Sequence, residues 1–293
     1  MIRSINDVTR LNNGILMPWF GLGVWKAEGQ EVVDAVKWAV QAGYRHIDTA
    51  AVYGNEKEVG IGLKECGVDR KDLFITSKVA NMGYKAALDS MDQTLSDLQT
   101  DYVDLFLIHW PHPEMGDTYL EMWTAMERIY KEGKARAIGV ANFYEEYLQR
   151  IMNECTVKPA VNQFECHPYY QMPELQKFCR ENDIQYEAYS PLAGGAVFGD
   201  ERFAPIAAKY GKDIAQIILR WELQKGIVVI PKSVKQKRVL SNMDVFDFEL
   251  EEEDMQKIDA MDINTKVTCA RPDQLWADFL AEKKARMDAG ARF

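Results

Sequence analysis

The sequence has no Cys-x-x-Cys pair, and its five cysteines (Cys66, Cys155, Cys166, Cys179 and Cys269) are scattered and odd in number. That leaves a reduced, cytoplasmic protein as the plain reading rather than a disulfide framework. No apolar run reaches the 18 residues a bilayer-spanning helix needs, and no basic-then-apolar leader opens the chain, so no membrane role is expected. A basic surplus is missing too. Thirty-five basic residues against 45 acidic ones leave a formal charge of −10, which argues against a nucleic-acid surface as the main role. There is no low-complexity linker and no shift of composition, so residues 1–293 are expected to form a single domain. What is present suits a soluble globular protein: 47% hydrophobic and 27% charged residues, enough apolar material for a large core. A length of 293 residues is ordinary for one α/β barrel.

The chain opens with a hairpin pattern, "VTRL", "NNG", "ILMP", in which Asn13-Gly14 suits a tight turn. Short apolar runs then alternate with amphipathic stretches. The predicted strands are "FGLGVW", "RHIDT", "LFITSK", "VDLFLIH", "ARAIGVA", "AVNQFE", "IQYEAY" and "IVVIP". Helical periodicity fills 31–42, 56–66, 84–98, 118–131, 145–153 and 173–182 between them. Eight near-continuously apolar strands in βα alternation predict a parallel sheet covered by helices, and eight is the number that closes a TIM barrel. The Gly-rich "SPLAGGAVFGD" reads as a loop, followed by helical patterns at 201–210 and 213–225. The acidic "ELEEEDMQKIDAM" adds a further helix, and a tail runs from 262 to 293.

In such a barrel the active site lies at the C-terminal ends of the strands. The polar or aromatic residues predicted there are Trp25, Asp48, Lys78, His109, Asn142, Gln163, Tyr189 and Lys232, with Tyr53 in the loop after Asp48. Singly each has a bland reading: Asp48 as a helix cap, Lys78 as a solvated end, His109 as a satisfied structural residue. Together Asp48, Tyr53, Lys78 and His109 make a chemical unit. A phenol is a poor acid at neutral pH; an adjacent ammonium lowers its pKa, and a carboxylate keeps that ammonium charged and placed. An imidazole beside them can hold a carbonyl oxygen. This is a proton donor for a carbonyl undergoing reduction.

"GLGVWK" begins like a dinucleotide fingerprint, but Lys26 stands where the third glycine belongs, and no suitable acidic residue follows. The better candidate is "IPKSVKQKR", where Lys232, Lys235, Lys237 and Arg238 cluster after the last strand in an otherwise acidic chain. Basic side chains at a strand end leading into a helix suit a phosphate, although a solvated charge run looks the same in isolation. His109 and His112 lack a convincing third ligand, so no metal is expected. Nothing orients Cys166 and His167 as a nucleophile pair.

"GYRHIDTAAVYGNE", "LFITSK", "DYVDLFLIHWP", "IGVANF", "NQFECHPY", "YSPL" and "IPKSVKQKRVLSN" resemble, in order, the signature segments of the aldo-keto reductase family. The branch with the nearest look holds the bacterial and protozoal diketogluconate, methylglyoxal and prostaglandin reductases. The resemblance implies NADPH-dependent reduction of aldehydes and ketones by a monomer, with Tyr53 as general acid, Lys78 and Asp48 as its tuning pair and His109 orienting the substrate. It implies that Lys232, Ser233 and Arg238 hold the cofactor's 2′-phosphate, that Asn142 and Gln163 hold the nicotinamide amide, and that Tyr189 stacks on its ring. Gly23, Trp25, Ser190, Leu192, Val234 and Asn242 complete the implied cofactor site, and Trp25, Trp110 and Trp276 the substrate pocket, with Phe279 a further aromatic candidate.

Three positions depart from the pattern. Ala141 replaces a serine, removing one amide hydrogen bond of about 0.5–1.5 kcal/mol. Ala80 replaces a tryptophan, and Ser241 stands where a glutamate often lies near the adenine. Substrate choice is expected to reside in 82–85, 114–117, 193–200 and 267–279. The alternative is a cofactor-binding, non-catalytic regulatory subunit, such as the potassium-channel β-subunits that share the barrel. The absence of an additional N-terminal segment and the "IPKS" form of the last strand favour a free-standing reductase.

Overall fold

The computed structural model describes residues 2–79 and 82–267. Val8–Arg10 (β1) and Leu16–Pro18 (β2) pair antiparallel, with Thr9 opposite Met17, and Gly14 takes the turn at φ 89°. The turn side chains then grip the barrel floor: Asn12 donates to the Pro159 and Asp183 carbonyls, and Asn13 to that of Arg136. Leu11 and Met17 pack there against Phe74, Leu105, Leu107 and Val161.

The barrel runs through Gly21–Gly23 (β3), His46–Asp48 (β4), Phe74–Val79 (β5), Val103–Ile108 (β6), Ala135–Ala141 (β7), Val161–Glu165 (β8), Gln185–Tyr189 (β9) and Val228–Val229 (β10). Each strand pairs in parallel with the next. Parallel bridges Phe20–Val229 and Gly23–Lys232 bring the last strand to the first and all but close the ring. All eight expected strands are present. The last is the shortest because Pro231 has no N–H to give to the ladder.

Outside the ring stand Gln30–Gln41 (α1), Glu56–Glu65 (α2), Tyr84–Leu98 (α3), Thr118–Lys131 (α4), Glu145–Glu154 (α5) and Pro173–Glu181 (α6). Ala204–Tyr210 (α7), Ile214–Gln224 (α8), Gln236–Asn242 (α9) and Glu252–Asp259 (α10) follow. Their apolar faces meet the outward strand residues in the main core, for example Val36 and Val59 with Ile47, and Trp123 and Met126 with Phe106 and Ile138. Asp213 caps α8 reciprocally with Gln216, which fixes where that helix starts. The helix expected over 201–210 opens instead as a 3-10 turn, Glu201–Phe203, before α7. The expected loop 190–200 holds a 3-10 stretch at Ala193–Gly199. Among the described residues no helix is long and apolar enough to cross a membrane.

Strand periodicity sends alternate residues inward. Gly139 matters here: a Cβ on it would lie 2.5 Å from the Val161 carbonyl oxygen and 2.9 Å from the Leu107 side chain. Its hydrogen lets Leu107 fill the barrel. Gly21 likewise leaves room for the His46 ring, whose Nδ1 would be 2.7 Å from an added Cβ.

Candidate active site

At the C-terminal end of the ring a cavity of about 280 Å³ is lined by eleven of the expected residues and by Val52 and Ile230. The eleven are Gly23, Trp25, Asp48, Tyr53, His109, Trp110, Asn142, Gln163, Tyr189, Ser190 and Lys232. Beneath it Lys78 is fully enclosed. Its ammonium donates to both Asp48 oxygens, at 2.7 and 2.8 Å, and to the Thr49 carbonyl at 2.8 Å. The Tyr53 hydroxyl lies 3.4 Å from Nζ.

Local structure explains how Tyr53 comes back over Lys78. After β4 the chain makes a 3-10 turn at Ala51–Tyr53 and leaves it through Gly54 at φ 68°. Asn55 pins this turn. It accepts from the Thr49 hydroxyl at 2.8 Å and donates to the Val24 and Ala27 carbonyls at 3.0 Å each. One buried amide thus ties the first two βα loops together.

Burial works against the Lys78 charge, but Asp48, with Tyr53 and Glu187 as further causes, more than offsets it and the ammonium is held above its ordinary value. Burial pushes the Asp48 carboxyl up, while Lys78 and Gln163 pull it back. With two short contacts from a persistent ammonium, the pair stays ionised at neutral pH. His109 is different. Burial of its ring, with Lys78 and His112 as further causes, holds its pKa well below the usual value, so it is a neutral imidazole. Its ring meets Tyr53 edge-on at 5.8 Å between centroids. A phenol and a neutral imidazole therefore face one space, with a cation behind the phenol.

The amide-bearing residues form a second layer. Asn142 adopts φ 65°, donates to the His109 carbonyl at 3.0 Å and accepts from the Tyr189 hydroxyl at 2.8 Å. Gln163 donates from one nitrogen to Asp48 at 2.8 Å and to Glu187 at 2.9 Å. Lys232 reaches across to the Lys26 carbonyl at 3.4 Å, linking the last strand end to the first loop.

Leu192, Ser233, Val234, Arg238 and Asn242 do not line the cavity. Ser233 and Asn242 are buried, whereas Arg238 projects from α9 beside exposed Lys235 and Lys237. Leu192 packs against the cluster of Tyr169, Val197 and Phe203, and Val234 against the main core. Trp276, Phe279, Cys269 and Ala80 lie outside the described residues. His112 pairs with Glu114 at 2.8 Å, and burial pushes the Cys166 thiol well up, which suits neither as a ligand or nucleophile.

Sequence reasoning missed Glu187, Asn55 and Lys266. Glu187 was hidden as the middle of an apolar-looking strand, although a carboxylate at an inward position of "QYEAY" is itself a signal. Lys266 reaches back from the segment after α10, its ammonium 4.9 Å from the centroid of Phe164 and 5.8 Å from that of Trp110. The neighbouring Val267 amide donates to Glu165 at 2.8 Å. Nothing in the spacing announces that contact.

Residues 19–263 match the model of the aldo/keto reductase family. The chain is 50% identical to glyoxal reductase of Bacillus subtilis over 278 residues, covering 94% of this chain and 99% of that protein. It is 45% identical to methylglyoxal reductase DkgA of Escherichia coli, covering 87% and 93% respectively. Among solved structures, a mutant of Gox0644 in complex with NADPH superposes with a TM-score of 0.87 at 42% identity, covering 91% of this chain and 97% of that one. A barrel with a Tyr–Lys–Asp–His group at its mouth has many conceivable uses, but a match over nearly the whole length, in sequence and in fold, leaves one conclusion: this chain belongs to the aldo/keto reductase family.

Proposed function

We propose that the protein reduces aldehydes and ketones to alcohols with NADPH, and that Tyr53 gives the proton to the carbonyl oxygen. The observation that carries this reading is the Tyr53 hydroxyl set 3.4 Å from an ammonium fixed by a buried carboxylate. Developing negative charge on the phenol oxygen is stabilised there, and the low polarity around it strengthens the effect. His109, neutral, donates a hydrogen bond to the same carbonyl oxygen and steers it toward the phenol. Trp25, Trp110 and Val52 make the rim apolar, which suits a small carbonyl compound and limits water.

The donor set fits NADPH. Lys232 and Arg238, basic in an acidic chain, suit its 2′-phosphate; the Tyr189 ring suits its nicotinamide, and Asn142 and Gln163 its carboxamide. When bound, NADPH supplies the hydride. The glyoxal and methylglyoxal reductases among the relatives support short aldehydes and α-dicarbonyls as first substrates to try.

The test is NADPH oxidation with a panel of such carbonyls, wild type against Tyr53→Phe. The variant keeps the ring and loses the proton source, so turnover should fall 10²–10⁴-fold, the usual worth of a general acid, with NADPH affinity nearly intact. More than about a tenth of wild-type turnover in Tyr53→Phe would sink the assignment. A wild type that binds NADPH but oxidises none of it with any carbonyl would favour the non-catalytic subunit.

A further inference from the structure

Below the tetrad the barrel interior carries a second polar layer that the reaction does not call on. Glu187 of β9 is fully buried; Oε2 accepts from the Gln163 amide at 2.9 Å, and Oε1 has no hydrogen-bond partner among the described residues. His46 of β4, also fully buried, has Nε2 3.0 Å from the Thr76 hydroxyl and 3.7 Å from Glu187 Oε1, too far for a hydrogen bond. Gln163 has two amide hydrogens. One goes to Asp48 and the other to Glu187. Turning the amide over would set its carbonyl oxygen against the ionised Asp48 carboxylate, which is acceptor-only, so Asp48 selects the orientation observed. Since Gln163 lines the cavity, its Oε1 is the polar atom left to face a ligand.

We propose that Glu187 is a positioning residue: with Asp48 it clamps both N–H bonds of Gln163, so that the site offers a bound cofactor's ring amide a carbonyl acceptor and never a donor. The inference rests on the NADPH reading above, and concerns which half of that amide the protein recognises and what enforces it. A carboxyl group is well suited to the second clamp. Asp48 alone fixes one N–H, and the other would be free to bring the amide out of plane. The groups around Glu187 are Asp48 and His46 of β4, Lys78 of β5 and Gln163 of β8. Burial first, and then Asp48, raise the Glu187 pKa to about 8, so near neutrality the clamp holds without a second negative charge under the tetrad.

The test compares binding of NADPH with that of the reduced analogue in which an acetyl group replaces the ring carboxamide and so has no N–H to give. Wild type should favour NADPH by about tenfold, the worth of one well-placed hydrogen bond. In Glu187→Ala the ratio should fall below about threefold, and in Glu187→Gln, whose own carbonyl can still accept from Gln163, it should stay near the wild-type value. Binding of 2′,5′-ADP, which lacks the nicotinamide, should be the same in all three; a merely structural role would weaken it in parallel. NADPH binding with an unchanged ratio in Glu187→Ala overturns the inference alone. Failure of wild type to bind NADPH overturns the cofactor reading as well. If Glu187→Ala does not fold, the side-chain amide signals of Gln163 in ¹⁵N spectra decide it. In wild type the two amide protons should be resolved and protected from exchange, each held by a carboxyl oxygen; a pair that is averaged, or one proton that exchanges freely, rejects the clamp.

Discussion

Replacing Lys78 with methionine separates what the buried pair does for folding from what it does for the reaction. Lys78 is fully buried and serves three acceptors, the two Asp48 oxygens and the Thr49 carbonyl. Methionine fills a similar volume but leaves Asp48 with only the Gln163 N–H at 2.8 Å. Breaking a buried ion pair by removing one partner costs about 3–5 kcal/mol. The stranded carboxyl should answer by holding a proton, so its folded pKa rises above the ordinary unfolded value of about 3.9. The sign then follows. Above that pH the unfolded chain releases a proton that the folded one keeps, and stability falls by up to about 1.4 kcal/mol per pH unit. Urea unfolding of wild type, Lys78→Met and Asp48→Asn/Lys78→Met at pH 5 and 8 reads both effects. The single variant should be least stable, and relatively worse at pH 8. The double variant, with no charge to strand, should recover at least about 1–2 kcal/mol of stability and lose the added slope. Neither variant should reduce carbonyls, since both lack the cation behind Tyr53. A double variant no more stable than the single one, or one that regains turnover, would refute the argument.

Three further outcomes are expected. Arg238→Ala and Lys232→Ala should each weaken NADPH by about 1.5–3 kcal/mol and leave NADH nearly unchanged; fluorescence titration at two salt concentrations checks this, and equal losses for both cofactors would remove the 2′-phosphate assignment. Gly139→Ala should cost about 1–3 kcal/mol in unfolding experiments, because its Cβ would meet the Val161 carbonyl, a backbone atom, at 2.5 Å. Glu187→Gln should flatten the decline of stability between pH 6.5 and 8. The wild-type carboxyl, raised to about 8, holds a proton there that the unfolded chain has already lost, a difference of about 2 kcal/mol over that window. An identical decline in the variant would show that Glu187 ionises normally.

The ring of strands was legible because burial on both faces writes each one as a short apolar run closed by a polar residue, as in "LFITSK" and "VDLFLIH". The tetrad was legible for the same reason: Asp48, Lys78 and His109 mark the ends of such runs. The turn that returns Tyr53 over Lys78 was not, because it depends on Asn55 bonding to Val24 and Ala27, about thirty positions away. Local spacing carries no trace of a contact that only barrel closure creates. Glu187 escaped for a related reason. Its neighbours Tyr186 and Ala188 face the helices and the core, and the strand reads as apolar unless the parity of each position is followed inward. Arg238 and Asn242 belong to a helix whose place depends on packing against α1 and α8, so the basic cluster around Arg238 pointed to a chemistry without a geometry.

Parity also explains why so polar a barrel is stable. The upper interior holds His46, Asp48, Thr76, Lys78, Gln163 and Glu187, all nearly or wholly buried. Four of these six can carry charge, and four independent buried charges would be prohibitive. Burial and the nearby Lys78 push the His46 pKa down to about 3, so it stays neutral. Glu187, raised to about 8, stays protonated at neutral pH. That leaves one cation and one anion, in direct contact at 2.7 Å. The layer therefore carries no net charge, and the single ion pair stands directly beneath the phenol that needs it. Ionising Glu187 would add a negative charge that competes with Asp48 for Lys78 and weakens the pull on the phenol. As pH rises toward about 8 the barrel should therefore lose stability, levelling off above it, while the acid strength of the phenol falls as Glu187 ionises through that same pH.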